Sequence, residues 1–472
     1  MKTFCFVFSL LLSTFSYAQE ISKRLDAAIK KLQADDQFKH AIISMYVVDS
    51  KTGKPVFDVN SQLGLAPASC QKVVTSVSAF EMLGKNYTYK TSISFDGLLV
   101  DSEILGDLYF YASGDPTLGS WRWAETNEDN IKKRIGEAMK KKGISSITGN
   151  LVIDDLTWET QATPNGWVWE DIGNYYGAGA RGFNWHENQY DLNLKPGKKA
   201  GDPVQIIDTK PSLQAVDLIN ELKTGTEGSG DQSVIYLPEG GTTGYVRGTV
   251  PAGRATFTVS GSLPNPESDF FNVMRSVFSE NNIGFTGKFH RALTRDKGRE
   301  NVTSPLVNDF FMLESPPLDS INYWFLKKSV NLYGEALVKT IASKDELIWF
   351  GATDSGLNVI KNFWEQRGIE RSALKIIDGS GLSPANRVTT LALVTVMQYA
   401  KNQSWFPSFY YALPETNGIK MKDGYISGVR SYTGYVKSKT GAEYTFSFIV
   451  NNFDGSAGTV REKMWKLLDV LK

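Results

Sequence analysis

A serine and a lysine three positions apart, Ser69 and Lys72, open the apolar stretch that runs to Leu83. Residues three apart share one face of a helix, so the Lys72 amine can reach the Ser69 hydroxyl. A desolvated lysine amine can act as a base and make a serine hydroxyl nucleophilic. The start of a helix also presents backbone N–H groups, which suit an oxyanion hole. The pair therefore predicts acyl transfer through a serine ester.

The S-x-x-K spacing is a weak signal alone, because a second copy occurs at Ser372–Lys375. Serine acyl-transfer enzymes with this motif also carry S-x-N and K-T-G motifs. The S-x-N copies begin at Ser279, Ser320 and Ser329, and the K-T-G copies begin at Lys51, Lys223 and Lys439. We therefore use the predicted secondary structure around each copy to select the functional S-x-N and K-T-G motifs.

The K-T-G motif is expected on a strand that borders the cleft, where a substrate can pair with the backbone. Lys51 lies in a predicted hairpin turn, and Lys223 follows a predicted helix over 215–222 that Gly225 would end. Lys439-Thr440-Gly441 instead follows one predicted strand and leads into another. Ser329-Val330-Asn331 separates two helical stretches and can project side chains from a turn. Context therefore selects Ser329 with Asn331, and Lys439 with Thr440 and Gly441.

Several segments in the same order resemble the D-alanyl-D-alanine carboxypeptidase/endopeptidase family, the class C low-molecular-mass penicillin-binding proteins. They are Pro67–Lys72, Gly106-Asp107, Ser113–Leu118, Gly149–Asp155, Ser315–Leu318, Lys327–Tyr333 and Asp378–Ser383. The wide gap between the first two catalytic motifs is itself a feature of that family, which inserts extra domains there. The resemblance covers nearly the whole chain after residue 18.

The resemblance implies a mechanism on peptidoglycan stem peptides. Ser69 would attack the carbonyl between two D-alanines, and Lys72 would accept its proton. Ser329 would relay a proton to the leaving amine, and Asn331 would hold the substrate amide. Lys439, Thr440 and Gly441 would bind the terminal carboxylate, and the N–H groups of Ser69 and Ala442 would form the oxyanion hole. β-Lactam antibiotics would acylate Ser69 as covalent inhibitors.

One further residue, Asp171, is assigned by resemblance within the segment Trp167–Asp171. There it would pair with the free amine of the stem peptide's diamino acid. Three positions depart from the family pattern: Cys70 stands for a Thr, Val330 for an Asp, and Ala442 for a Thr. Asp378 and Ser380 are expected to brace a turn, because Asp-Gly-Ser-Gly favours one.

The elements that must position these residues follow a mixed α and β pattern. A helix and a hairpin begin the chain, and a hairpin and a helix end it, which indicates one sheet built from both termini. We predict an α+β fold: a penicillin-binding, serine β-lactamase-like transpeptidase domain with an antiparallel sheet and helices. A mostly β insertion of one or two small domains interrupts it. The predicted division is residues 1–18 (signal peptide), 19–93 and 301–472 (catalytic domain), and 94–300 (insertion).

Composition excludes several other classes of protein. The chain has 472 residues, 41% of them hydrophobic, and 51 basic residues balance 51 acidic ones, which argues against a nucleic-acid binder. The two cysteines and three histidines cannot supply a Cys-rich metal site, and no H-E-x-x-H motif occurs. We therefore expect no cofactor and no metal. A β-lactamase and a non-catalytic wall-binding protein remain alternatives. A cysteine peptidase that uses Cys70 does not fit, because Cys70 lies two residues from Lys72 and points off its face.

Residues 1–18 have the pattern of a secretory signal peptide. Lys2 is the positive region, Phe4–Leu12 is the apolar region, and Ser16-Tyr17-Ala18 offers small residues for cleavage. The apolar run is too short to serve as a membrane anchor. We predict export to the periplasm, cleavage near Ala18 and no integral membrane anchor.

Overall fold

The computed structural model describes residues 19–292, 308–345, 347–348 and 350–472. The chain divides into two compact units. Unit 1 comprises Met1–Met82, Asn322–Ser329 and Leu357–Lys472, and unit 2 comprises Leu83–Ile321 and Val330–Gly356. The predicted signal peptide and the predicted boundary at residue 300 lie outside the described residues. The boundary between residues 93 and 94 stays a prediction.

The described residues form helices in both units. In chain order they are α1 (19–33), α2 (Lys72–Leu83), α3 (Glu128–Lys142), α4 (Trp169–Ile172), α5 (Pro266–Glu280), α6 (Leu318–Lys327), α7 (Asn331–Lys344), α8 (Thr353–Glu365), α9 (Thr390–Lys401), α10 (Phe406–Ala412) and α11 (Ala457–Leu468).

The strands of the first half of the chain are β1 (Ile42–Asp49), β2 (Pro55–Val59), β3 (Lys90–Phe95), β4 (Leu98–Val100), β5 (Glu103–Leu105), β6 (Leu108–Tyr111), β7 (Ser146–Ile147), β8 (Leu151–Asp154), β9 (Gln189–Lys195), β10 (Gln205–Lys210), β11 (Asp217–Asn220) and β12 (Lys223–Gly225). Those of the second half are β13 (Gln232–Tyr236), β14 (Thr243–Pro251), β15 (Phe257–Ser262), β16 (Gly284–Phe285), β17 (Phe289–Arg291), β18 (Asn308–Glu314), β19 (Leu374–Lys375), β20 (Arg387–Val388), β21 (Glu415–Thr416), β22 (Ile419–Ile426), β23 (Val429–Lys437) and β24 (Glu443–Asn451).

Unit 1 contains a six-stranded antiparallel sheet in the order β2-β1-β24-β23-β22-β21. Both faces of β1 are buried, as its mostly apolar sequence requires. Met45 and Val47 face a core that includes apolar residues of α1 and α11. Tyr46 and Val48 face the opposite side, where Val394 of α9 packs. The sheet built from both ends of the chain is confirmed.

Unit 2 contains several smaller sheets. The five-stranded sheet β17-β8-β6-β3-β18 shares a core with α3 and α5, whose apolar positions repeat at helical spacing. A second core joins β9 and β15 with β13 and β14. The helix predicted over 215–222 is wrong, because residues Asp217–Asn220 pair with β14 as strand β11. Short apolar runs do not separate helix from strand by period alone.

In the part of the chain that the structure describes, every helix is too short or too polar to cross a bilayer.

Candidate active site

The turn that carries Ser69 leads directly into a helix of unit 1. Ala68–Gln71 form a single turn of 3-10 helix, and α2 begins at Lys72. Residues three apart lie above one another in a 3-10 turn. The Lys72 Nζ accordingly lies 3.0 Å from the Ser69 Oγ and donates to it. Lys72 is completely buried, whereas Ser69 keeps partial access to solvent. The predicted pair is therefore in hydrogen-bond contact.

The loop after β19 holds the Lys72 amine from a second side. Lys72 Nζ donates to the backbone carbonyl of Ser380 at 2.8 Å. The Asp378 carboxylate fixes this loop by accepting from the backbone N–H groups of Gly381 (2.8 Å) and Ser383 (2.7 Å). Asp378 also accepts from the side chain of Gln71, one residue before Lys72. The bracing role predicted for Asp378 is thus confirmed.

Two backbone features beside Ser69 are not visible in the motif. Ala68 adopts a left-handed conformation (φ 46°), which costs energy for any residue with a Cβ. Gly381 (φ +83°) approaches so closely that a Cβ would lie 2.0 Å from the Ala68 carbonyl oxygen. A larger residue at 381 would push away the Ala68–Gln71 turn, which carries the candidate nucleophile Ser69 and is called the nucleophile turn below. This glycine is therefore needed for the close approach.

Strand β22 borders the same turn. A Cβ on Gly424 would lie 2.8 Å from both the Ser69 backbone nitrogen and the Pro67 carbonyl oxygen. Cys70 donates its thiol to the Lys422 carbonyl at 3.2 Å. Ser431 of the neighbouring strand β23 donates to the Pro67 carbonyl at 2.5 Å. The K-x-G segment that lies on a strand beside Ser69 is therefore Lys422-Asp423-Gly424.

The substrate-binding role predicted for Lys439, Thr440 and Gly441 is corrected by this geometry. These residues occupy the turn between β23 and β24. Strand β23 ends at Lys437, roughly 20 Å along the strand from Ser431, which contacts the nucleophile turn. The Lys439 backbone nitrogen donates to the carbonyl of Lys472. The residue types at 439–441 match the K-T-G motif, but these residues lie at the end of the hairpin that is far from Ser69.

The predicted oxyanion contribution of Ala442 is corrected for the same reason. Its N–H donates to the Ser438 hydroxyl at 3.0 Å and closes the hairpin turn. The exposed edge of β22 offers another backbone N–H group as the second oxyanion donor. The Met421 N–H donates to the Pro414 carbonyl, on the edge of β22 that faces away from β23. In a strand the N–H groups of every second residue point to the same edge, so those of residues 423 and 425 point there too. The Tyr425 N–H therefore points to the open edge beside Ser69.

Cys70 is a poor nucleophile in this setting. Its side chain is completely buried, and burial raises the pKa of the thiol to about 11. A neutral buried thiol is inert, because the thiolate is the reactive species. The structure thus agrees with the sequence argument against a cysteine peptidase.

The S-x-N motif falls where two helices meet, as predicted. Ser329 follows α6 with a left-handed backbone (φ 58°), and Asn331 begins α7. Within unit 1, Phe325 of α6 places its ring 5.9 Å from the Lys72 amine, and Asn322 accepts from Ser76 of α2. The segment of unit 1 that ends at Ser329 is therefore packed on the helix that carries Lys72.

Unit 2 places Asn331 next to the segment that carries Asp171. The Asn331 amide donates to the Tyr176 carbonyl at 2.7 Å. Asp171 lies in α4, and a Cβ on Gly177 would lie 1.9 Å from its carbonyl oxygen, so the Asp171–Gly177 turn is tight. Burial and the neighbouring Glu170 raise the pKa of Asp171 to about 6. Asp171 and Asn331, predicted from separate parts of the chain, thus belong to adjoining segments.

Sequence reasoning missed Lys422, Asp423 and Gly424 because it required an unbroken K-T-G. The sequence did contain a usable signal, because a K-x-G pattern lies inside the alternating segment Ile419–Ile426, which precedes the last two strands of the chain. Placement on a strand is the physical requirement, and the middle residue can vary without changing it.

Two curated proteins are similar to this chain over most of its length. A D-alanyl-D-alanine carboxypeptidase of Actinomadura sp. (strain R39) is 25% identical over 467 residues, covering 93% of this chain and 82% of that protein. The D-alanyl-D-alanine carboxypeptidase DacB of Haemophilus influenzae is 22% identical over 430 residues, covering 86% of this chain and 84% of that protein.

A solved structure shares the fold. Penicillin binding protein 4 (dacB) from Haemophilus influenzae superposes with a TM-score of 0.76 at 19% identity, covering 91% of this chain and 95% of that chain. The same protein complexed with a β-lactam gives a TM-score of 0.70. The predicted penicillin-binding-protein fold is thereby confirmed. The model of one family, D-Ala-D-Ala carboxypeptidase 3 (S13), matches residues 25–418. The chain therefore belongs to the D-Ala-D-Ala carboxypeptidase 3 (S13) family, as the motifs predicted.

Proposed function

We propose that this protein cleaves peptidoglycan stem peptides as a serine-type D-alanyl-D-alanine carboxypeptidase/endopeptidase with Ser69 as nucleophile. The observation that carries the proposal is the 3.0 Å contact between the Lys72 amine and the Ser69 hydroxyl. Ser69 attacks the carbonyl between two D-alanines and passes its proton to Lys72. The C–N bond then breaks, the leaving amine takes up a proton through Ser329, and water hydrolyses the ester.

The remaining roles follow from position or from motif. The N–H groups of Ser69 and Tyr425 are the donors for the oxyanion, since both lie where β22 meets the nucleophile turn. Lys422 and Asp423 take the place predicted for Lys439 and Thr440, on the strand that borders the leaving-group side of the substrate. On the motif alone, Asn331 holds the substrate amide. β-Lactams acylate Ser69 as mimics of the substrate.

Export is part of the proposal. The pattern of residues 1–18 supports a cleaved signal peptide, and a peptidoglycan substrate requires a location outside the cytoplasm. We infer a periplasmic protein.

Digestion of purified peptidoglycan tests the proposed function. We expect free D-alanine, fewer cross-linked fragments, or both, when the products are analysed by mass spectrometry. The ratio of the two products reports the balance between carboxypeptidase and endopeptidase activity. Intact protein that yields neither product would contradict the proposal.

The raised pKa of Asp171 predicts how substrate selection depends on pH. If its carboxylate binds the free amine of the diamino acid, binding needs the ionised form. Because the pKa of Asp171 is raised to about 6, the ionised fraction falls as the pH drops through that value. We expect kcat/KM for an amine-bearing stem peptide, divided by that for its N-acetylated form, to fall about tenfold between about pH 8 and pH 5.

The matched variants are Asp171→Asn and Glu170→Gln. Asp171→Asn should give a low ratio at every pH. Glu170→Gln removes a negative neighbour, so the inflection should move to lower pH. A wild-type ratio that does not change with pH would remove Asp171 from the substrate site.

A further inference from the structure

The residue between Lys422 and Gly424 is an aspartate, where the motif K-T-G has an uncharged threonine. The Lys422 amine donates to the Asp423 carboxylate at 3.0 Å and to the Asp423 carbonyl at 2.7 Å. The Lys422 side chain is 1% exposed, whereas that of Asp423 is 45% exposed. The lysine charge is thus already paired with a carboxylate that faces solvent.

The pair lies at the open edge of β22. Side chains of adjacent strand residues leave from opposite faces, so Lys422 and Asp423 can meet only around an edge of the strand. Strand β23 occupies one edge of β22 from Lys420 to Ile426, and on the other edge β21 pairs only with Ile419 and Lys420. The Asp423 carbonyl that receives the amine points to the same edge as the Tyr425 N–H. A substrate peptide beside Ser69 would lie along this edge.

Asp423 is charged at neutral pH. Burial raises its pKa, but Lys422 and Arg430 lower it by more, and the pKa ends below the usual value. The threonine of K-T-G would offer a hydroxyl donor to a substrate carboxylate, whereas a charged aspartate offers only acceptors. Like charges brought together at a binding site disfavour that ligand.

We propose that Asp423 makes this enzyme select stem peptides whose group on the leaving side is neutral, such as a carboxamide, over peptides with a free carboxylate. The carboxamide N–H groups donate to the Asp423 carboxylate, the solvent-facing member of the pair. This inference rests on the proposed function, because it concerns the substrate of Ser69. The carboxylate of penicillin meets the same charge, which slows acylation.

A pair of synthetic peptides tests the inference, one ending in D-Ala-D-Ala and the other in D-Ala-D-Ala-amide. Hydrolysis of the same amide bond releases D-alanine from the first and D-alaninamide from the second. We expect the wild-type kcat/KM to be about tenfold higher for the amide. Asp423→Thr should remove or reverse that preference, mainly by raising kcat/KM for the free acid.

Asp423→Asn provides a second variant, of the same size as aspartate, and should also remove the preference. Glu462→Gln, on the exposed side of α11, removes one negative charge elsewhere in unit 1 and should keep it. A wild-type preference for the free acid, or a preference that survives both Asp423 variants, would overturn the inference alone. Folded wild-type protein that cleaves neither peptide would overturn the proposed function, and this inference with it.

Discussion

Replacing Ser69 by alanine should abolish covalent labelling by a fluorescent penicillin and reduce D-alanine release by at least about 10⁴-fold. The reason is that Ser69 Oγ is the atom that forms the ester. The structure limits the damage to the chemistry, because Ser69 is only partly buried and the substitution removes a single oxygen. Labelling after prolonged incubation, read on a gel and by peptide mass spectrometry, checks the result.

The second S-x-x-K motif supplies the matched control. Ser372 and Lys375 have the same spacing, but both are exposed. Ser372→Ala should therefore leave labelling and D-alanine release unchanged. A Ser69→Ala protein that is still labelled at the same peptide, or a Ser372→Ala protein that is not labelled, would refute the choice of nucleophile.

The contrast between these two motifs shows how far spacing alone can predict. The distance from serine to lysine along the chain is the same in both copies, so spacing does not distinguish them. The difference is tertiary: Lys72 is buried against Ser380 and Phe325, whereas Lys375 reaches solvent. The order of the other motifs along the chain selected the Ser69 copy, because it added information from elsewhere in the chain.

The prediction from the K-T-G motif was wrong because of the position of the motif in the sheet. Its letters are right at Lys439, and the predicted strands on either side were also right, since β23 and β24 flank it. A hairpin has two ends, however, and only the end near Ser431 contacts the nucleophile turn. Which end faces the nucleophile depends on sheet order and register, which a single sequence does not contain.

The strained and close-packed positions were beyond sequence reasoning as well. Nothing in Pro67-Ala68-Ser69 indicates that Ala68 is left-handed, because alanine normally avoids that conformation. The strain is held by distant partners: Gly381 packs on the Ala68 carbonyl, and Ser431 bonds to Pro67. Strain of this kind commonly accompanies a functional site and is visible only in three dimensions.

Replacing Lys72 by methionine should slow acylation of Ser69 by about 10² to 10⁴-fold, the range for loss of a general base. Methionine keeps the length and apolar stem of the completely buried side chain and removes only the amine. The Ser380 carbonyl loses a donor, but a buried amine no longer has to be desolvated. The free energy of unfolding should therefore change by no more than about 2 kcal/mol.

A second buried lysine separates catalysis from packing. Lys339 of unit 2 is also completely buried, pairs with Glu159 at 3.3 Å and donates to the Ala180 carbonyl. Lys339→Met leaves the Glu159 carboxylate without its positively charged partner, so it should lower the free energy of unfolding by about 3 kcal/mol. Acylation by the folded variant should stay near wild type, because Lys339 bonds to the main chain and to Glu159 rather than to a nucleophile. The main effect of Lys72→Met should thus be a slower acylation, and that of Lys339→Met a lower free energy of unfolding. Urea unfolding and stopped-flow acylation measure both quantities, and a Lys72→Met protein that acylates at the wild-type rate would require a different base.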